Sequence, residues 1–269
     1  MNILFAGSPN SSAKVLDSLS NKTGLTIKAV ITQPDKRGKR GNKLVESQVA
    51  EKAKSLNIPL FKPTDLNDKY FKAELLSLDI EFLIVVAYGK LIPDWLIELP
   101  KITSINVHFS ILPKYRGASP IQSALLNADA ESGITIIKIN DELDSGDVYS
   151  SFVQTVDEDD DKISLENKLT ELCNANLFNV LKKINSNKLK ALPQDHSSAT
   201  YCNKVLKQDS EITFNDKSAN IINKFKAYIE WPGISFKHKE KLIKIHKIEK
   251  TNIDSSGSPG TFHKIDKSG

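Results

Sequence analysis

Residues 80–108 read IEFLIVVAYGKLIPDWLIELPKITSINVH. The first nine positions are almost wholly apolar and rich in Ile, Val and Phe. A strand covered on both faces needs that composition, so 80–88 reads as a central strand of a parallel sheet. Residues 93–99 form a helical turn, and residues 102–108 form the next strand. The expected unit is therefore strand, short helix, strand.

The same alternation extends in both directions. Upstream lie a strand at 2–6 ending in Gly7-Ser8-Pro9, a helix at 12–20, a strand at 26–32, a loop at 33–44, a helix at 45–56, a short strand at 59–61 and a helix at 70–78. Downstream lie a helix at 120–127, strands at 134–140 and 148–156, and a long helix at 162–184. Strands alternating with helices indicate an α/β fold with a doubly wound, mostly parallel sheet. Ligands of such sheets bind at the carboxyl ends of strands near a switch point, where Tyr88-Gly89 and Asn106–His108 fall. Residues 1–184 are thus expected to form one domain. Residues 185–206, mixed in Asn, Ser, Pro and Lys, read as a linker. Residues 207–269 hold a helix at 218–228 and a hairpin with strands at 234–238 and 241–248. This small β-rich unit ends on a turn-like Asp266-Lys267-Ser268-Gly269 and is expected to be incomplete, a truncated domain.

At 269 residues the chain is long enough to bury a large core without staples. Its two cysteines, Cys173 and Cys202, form no CxxC pair. A disulfide framework and structural zinc are therefore not expected, and a reducing cytoplasm is. No apolar run approaches the roughly 20 residues of a membrane helix, and the short apolar start is no signal peptide. The 12 basic and 8 acidic residues of 207–269 account for the whole net charge of +4. Only Arg37, Arg40 and Arg116 are arginines. Arginine in a lysine-rich chain hints at planar, bidentate recognition.

Asn106 and His108 lie two apart on a strand, so both side chains share a face. A strand histidine alone is more often structural. A neutral donor beside it changes the balance, because the pair can stabilise an oxyanion and move a proton. Asp144 sits in a glycine-bearing loop between strands; it can orient the imidazole, although spacing alone favours a turn-capping role. The motifs of serine hydrolases, zinc proteases and dinucleotide sites are missing from the sequence. Lys36, Arg37, Lys39, Arg40 and Lys43 fall within one short loop. They are either a solvated surface or a contact for a phosphate backbone.

Several motifs occur in consistent order: Phe5-Ala6-Gly7-Ser8-Pro9, Thr32-Gln33-Pro34-Asp35 with Arg40-Gly41, Val86-Ala87-Tyr88-Gly89 with Ile92-Pro93, and Asn106-Val107-His108. They continue with Ser110-Ile111-Leu112-Pro113, Tyr115-Arg116-Gly117, Pro120-Ile121, Leu143-Asp144-Ser145-Gly146-Asp147, Ala199-Thr200-Tyr201 and Trp231-Pro232. From residue 3 to about 233 the chain resembles the folate-dependent formyltransferases. The resemblance implies a Rossmann-like catalytic domain over 1–184. It also implies transfer of a formyl group from 10-formyltetrahydrofolate, without a metal, to the α-amino group of methionyl initiator tRNA. It assigns Asn106 to the formyl oxygen. His108 would stabilise the tetrahedral intermediate or assist proton transfer, and Asp144 would set the state of His108 and help move the amine proton. Ser110, Ile111, Leu112 and Pro113, with the backbone of Val86, Ala87 and Tyr88, would line the folate site. The basic loop would meet the acceptor stem, with Arg40 foremost. Residues 207–269 would begin an OB-like β-barrel contacting tRNA, and a monomer is expected.

Phe109 departs from the family pattern, as do Ser8, Ser11, Arg37 and Lys39 and the run 227–230 before Trp231. Phe109 is expected to narrow the mouth of the pocket. The nearest rival reading is a sugar-nucleotide N-formyltransferase, for which the basic loop has no purpose. A catalytically silent RNA-binding module is a third, against which the intact triad speaks.

Overall fold

The computed structural model describes residues 1–38, 44–250 and 258–261. From the amino terminus, β1 (Asn2–Gly7), α1 (Asn10–Ser20) and β2 (Thr26–Ile31) make the first strand–helix–strand unit. A two-residue hairpin follows, β3 (Lys36–Arg37) against β4 (Leu44–Val45). Then come α2 (Gln48–Ser55), β5 (Leu60–Phe61), α3 (Lys69–Leu76), β6 (Phe82–Val86), α4 (Asp94–Ile97) and β7 (Thr103–His108). Beyond β7 lie β8 (Arg116–Gly117), α5 (Pro120–Leu126), β9 (Glu131–Lys138), β10 (Val148–Thr155) and α6 (Lys162–Asn185). The chain continues through β11 (Tyr201–Cys202), α7 (Ser218–Tyr228) and the hairpin β12 (Ile234–His238) with β13 (Lys241–Ile245).

The main sheet has seven strands in the order β10-β9-β7-β6-β1-β2-β5. From β5 to β7 all pairings are parallel, whereas β9 runs antiparallel to both β7 and β10. The expected doubly wound, mostly parallel sheet is therefore present, with an antiparallel hairpin on one edge. Helix starts follow local chemistry. Ser47 caps α2, Asp68 caps α3, and Asp161 with Ser164 forms a capping box on α6. Each such cap satisfies amide groups that the helix cannot, and contributes about 1 kcal/mol.

The apolar run at 80–88 is explained by burial on both faces. Phe82, Ile84 and Val86 join the main core beneath α1 and α6, while Leu83 and Val85 join a smaller core under α3 and α4. On β7, Ile105 and Val107 face the main core, and the next residue in that register, Phe109, joins them. Phe109 is only 8% exposed and does not narrow a pocket mouth; it packs opposite His108. Asn106 and His108 point to the other side of the sheet.

Some boundaries differ from the sequence expectation. The helix expected from residue 45 starts at Gln48, because Leu44 and Val45 pair with Lys36 and Arg37. The strand expected at 134–140 spans Glu131–Lys138. Within 185–206, Leu192 bridges to Val148, and β11 pairs in parallel with β8. That segment therefore packs against the first domain along much of its length. Ile212, Ile221, Tyr228 and Ile234 are buried in the main core, so α7 and β12 dock on it as well. At the foot of the basic loop, the Lys62 ammonium bonds Asp35 at 2.6 Å and Glu46 at 2.7 Å. Burial works against that charge, but the two carboxylates outweigh it and raise the Lys62 pKa.

Gly133 on β9 leaves no room for a side chain. A Cβ there would lie 2.2 Å from the Phe152 carbonyl and 2.9 Å from the Ile111 side chain. Gly133→Ala is expected to cost about 2 kcal/mol or more through overpacking. At about 2–4 °C per kcal/mol, thermal melting should register a drop of several degrees; an unchanged melting temperature would contradict this packing.

Candidate active site

Three side chains from two separate stretches of the sequence meet on one face of β7. Asn106 and His108 come from the strand itself, and Asp144 comes from the β9–β10 connection. That connection leaves β9 beside the start of β7, where the Ile139 amide bonds the Ser104 carbonyl, and then folds back over the strand. The fold-back closes where the Lys138 amide donates to the Asp147 carbonyl at 2.8 Å. It puts Asp144 Oδ1 3.2 Å from Asn106 Nδ2, and Oδ2 3.5 Å from His108 Nδ1.

Asp144 is held at further points. Its Oδ2 accepts the Gly117 amide at 2.8 Å, and its backbone adopts the left-handed φ of 49°. The capping role that spacing favours is thus partly real, since the carboxylate does cap a main-chain amide. It also faces both β7 side chains.

His108 is 5% exposed, and its Nε2 lies 2.8 Å from the Tyr115 carbonyl. A carbonyl only accepts, so Nε2 carries a proton and the neutral ring has its lone pair on Nδ1. A proton arriving at Nδ1 is placed against the Asp144 carboxylate. The imidazole is therefore held in one tautomer, with its reactive edge toward an acid. Asn106 is half-buried and spends one amide hydrogen on Asp144, which leaves the second to polarise an oxygen.

The residues after β7 form a tight turn. The buried Thr135 hydroxyl donates to the Ser110 carbonyl at 2.7 Å and accepts the Leu112 amide at 3.0 Å. Ser110 Oγ donates to the Lys114 carbonyl. The Ser110 and Leu112 side chains are buried, whereas Ile111 and Pro113 are half-exposed. At the end of β6, the Val86 carbonyl accepts from Ser12, and the Tyr88 carbonyl accepts from Ser8 and Gln33. Between them Ala87 is exposed at φ 46°. The Tyr88 hydroxyl is buried without a hydrogen-bond partner among the described residues, and burial pushes its pKa up to about 12. What these residues offer a ligand is mainly backbone at Ala87 and apolar surface at Ile111 and Pro113.

Lys36 and Arg37 are exposed on β3. Lys39, Arg40 and Lys43 lie outside the described residues. Two surface hollows, of about 330 and 390 Å³, flank Thr64–Asn67 with Lys90–Pro93 and the stretch from Phe61 to Glu74. Neither includes Asn106, His108 or Asp144. Among the described residues no cluster of three or more His, Cys, Asp or Glu is placed to hold a metal ion.

Sequence reasoning missed the groups that hold the triad, namely the Tyr115 carbonyl, the Gly117 amide and the Gln194 side chain, which bonds the Asp144 carbonyl at 2.9 Å, and it missed the Thr135 hydroxyl that holds the neighbouring turn. Backbone groups have no sequence signal, and Gln194 lay in an expected linker.

A formyl transferase model matches residues 1–181, and a formyl transferase C-terminal domain model matches residues 204–269. The methionyl-tRNA formyltransferase of Sulfurihydrogenibium sp. (strain YO3AOP1) is 37% identical over 268 residues, covering 99% of this chain and 86% of the relative. That of Legionella pneumophila (strain Corby) is 36% identical over 269 residues, covering 100% of this chain and 85% of the relative. Among solved structures, an N-formyltransferase from Helicobacter canadensis, in complex with folinic acid and dTDP-3-aminofucose, superposes with a TM-score of 0.67 at 20% identity. It covers 91% of this chain and 86% of its own. A 4-N formyltransferase from Francisella tularensis gives 0.71 at 16% identity, covering 93% and 98%. At those identities the structures establish the shared fold.

Removing the Thr135 hydroxyl tests the turn directly. Thr135→Val leaves the Leu112 amide without its acceptor, at a cost of about 1–3 kcal/mol. Hydrogen exchange at the Leu112 amide should accelerate along with a fall in melting temperature. Wild-type protection of that amide would count against the described bonding.

Proposed function

The chain belongs to the formyl transferase family, and on that footing we propose that it transfers a formyl group from 10-formyltetrahydrofolate to the α-amino group of methionyl initiator tRNA. The observation that carries this reading is the meeting of Asn106 and His108 on one carboxylate, that of Asp144. The residues present suit a folate donor. Ala87 is exposed at the carboxyl end of β6, within reach of a heteroaromatic edge, and Ile111 and Pro113 offer apolar surface to a ring. When bound, that donor supplies an activated formyl carbon.

The chain's own residues do the rest. Asn106 directs its free amide hydrogen at the formyl oxygen, where negative charge develops. The methionyl amine attacks only when neutral, so its proton must leave. His108 Nδ1 and the Asp144 carboxylate together provide the place for it. The Tyr115 carbonyl keeps the imidazole from turning during the transfer. The burial of His108 keeps bulk water from the ring and strengthens each of these interactions.

Acceptor choice falls to Lys36, Arg37, Lys39, Arg40 and Lys43, which engage the acceptor stem through phosphate contacts. The lysine-rich β12–β13 hairpin adds positive charge on the C-terminal side. The reading places the protein in the cytoplasm, as a monomer acting in translation initiation; among the described residues no helix is long and apolar enough to cross a membrane. A sugar-nucleotide acceptor is the second reading, favoured by the fold neighbours alone. An inactive RNA-binding role is less well supported, because the triad is assembled.

Incubation with 10-formyltetrahydrofolate and either methionyl initiator tRNA or an amino-sugar nucleotide separates these readings; formylation of the sugar alone would overturn the first. His108→Ala and Asp144→Asn should each lower turnover by about 100-fold or more while the protein stays folded. Near-normal turnover in either would sink the assigned roles. Arg40→Ala should raise the apparent KM for tRNA and leave that for folate unchanged. An equal effect on both substrates would remove the loop from acceptor recognition.

A further inference from the structure

Arg116 is 2% exposed, yet its partners among the described residues are all uncharged. Its Nε and Nη2 both donate to the Gln194 Oε1, at 3.2 and 2.7 Å. Nη2 also meets His196 Nδ1 at 3.2 Å, and Nη1 reaches the Tyr201 hydroxyl at 3.4 Å. A guanidinium has only donors, so the atom it chelates must be the amide oxygen. The Gln194 nitrogen is thereby forced to the opposite side. There it donates to the Asp144 carbonyl at 2.9 Å and the Gly146 carbonyl at 2.7 Å. Arg116 thus fixes which way the Gln194 amide faces, and the amide fixes the backbone on both sides of Ser145.

We propose that Arg116 and Gln194 are positioning residues for the transfer reaction, holding Asp144 at the reach of Asn106 and His108 through its main chain. The inference rests on the catalytic reading of Asp144. Three observations support it beyond the bonds themselves. Asp144 sits at a left-handed φ of 49°, a conformation that a non-glycine residue keeps only when its surroundings enforce it. Gly117, which follows Arg116, donates its amide to the Asp144 carboxylate, so one short strand grips both the side chain and, through Gln194, the backbone. Finally, burial of a cation without a carboxylate partner among the described residues is costly; beside a stacking contact 6.0 Å from the Tyr201 ring centre, what it secures is the orientation of this loop. The brace also assigns a task to residues 194–202: β11 pairs with β8 at Arg116, and the Arg116 amide bonds the Thr200 carbonyl at 2.8 Å. The segment between the two matched domains is then part of the reaction site.

Gln194→Glu separates this role from mere stability. The carboxylate still accepts from Arg116, but it cannot donate to either carbonyl. Folded Gln194→Glu should lose about 10- to 100-fold in kcat, the usual scale for an orienting partner. KM for both substrates should stay near wild type, and the pH profile of kcat should change. Arg116→Lys, which keeps the charge but cannot chelate Oε1 at two points, should fall in the same direction by less. Turnover is compared below the melting temperature of each variant, with Asp144→Asn assayed alongside. If Asp144→Asn turns over normally, the catalytic reading itself fails. If Asp144→Asn is inactive and either folded brace variant shows wild-type kcat and pH profile, the brace alone is overturned.

Discussion

Gly146 presses its α-carbon against the carbonyl of Lys138, where a Cβ would lie 1.8 Å from the oxygen. This contact lets the β9–β10 connection double back over the sheet instead of running out past its edge. β9 ends beside the beginning of β7, so a connection leaving it directly would carry Asp144 away from Asn106 and His108. The fold-back reverses that. The contacts of Asp144 with Asn106 and His108 depend on a position where no side chain fits.

The doubly wound sheet was readable because its central strands must be apolar on both faces, and β6 shows this residue by residue. Asn106 and His108 were readable as a pair because strand alternation alone puts them on one face. The same alternation placed Phe109 on the opposite face, where it packs into the main core. Its expected role at a pocket mouth came from comparing residue size at one position, without asking which face the position presents. Asp144 could not be read from spacing, since a turn cap and a catalytic acid look alike until the loop's path is known. Gln194 and the Tyr115 carbonyl were illegible for a different reason. One sits in a stretch without periodicity, and the other acts through the main chain, which every residue shares.

The C-terminal region contributes more than charge. Tyr228 and Ile234 bury against the core of the first domain, and Lys162 at the start of α6 bonds both Glu166 and Glu230. Residues 194–202 run past Arg116. The path from the sheet to the β12–β13 hairpin is therefore in contact with the first domain along much of its length.

The ammonium of Lys62 joins Asp35 and Glu46, and β3 pairs with β4, so the chain enters and leaves the basic loop at nearly one point. Closing a loop between neighbouring feet costs only about 0.6 kcal/mol more for each doubling of its length. The two feet are thus joined by contacts outside the loop, and a change in its length costs little as long as they stay joined.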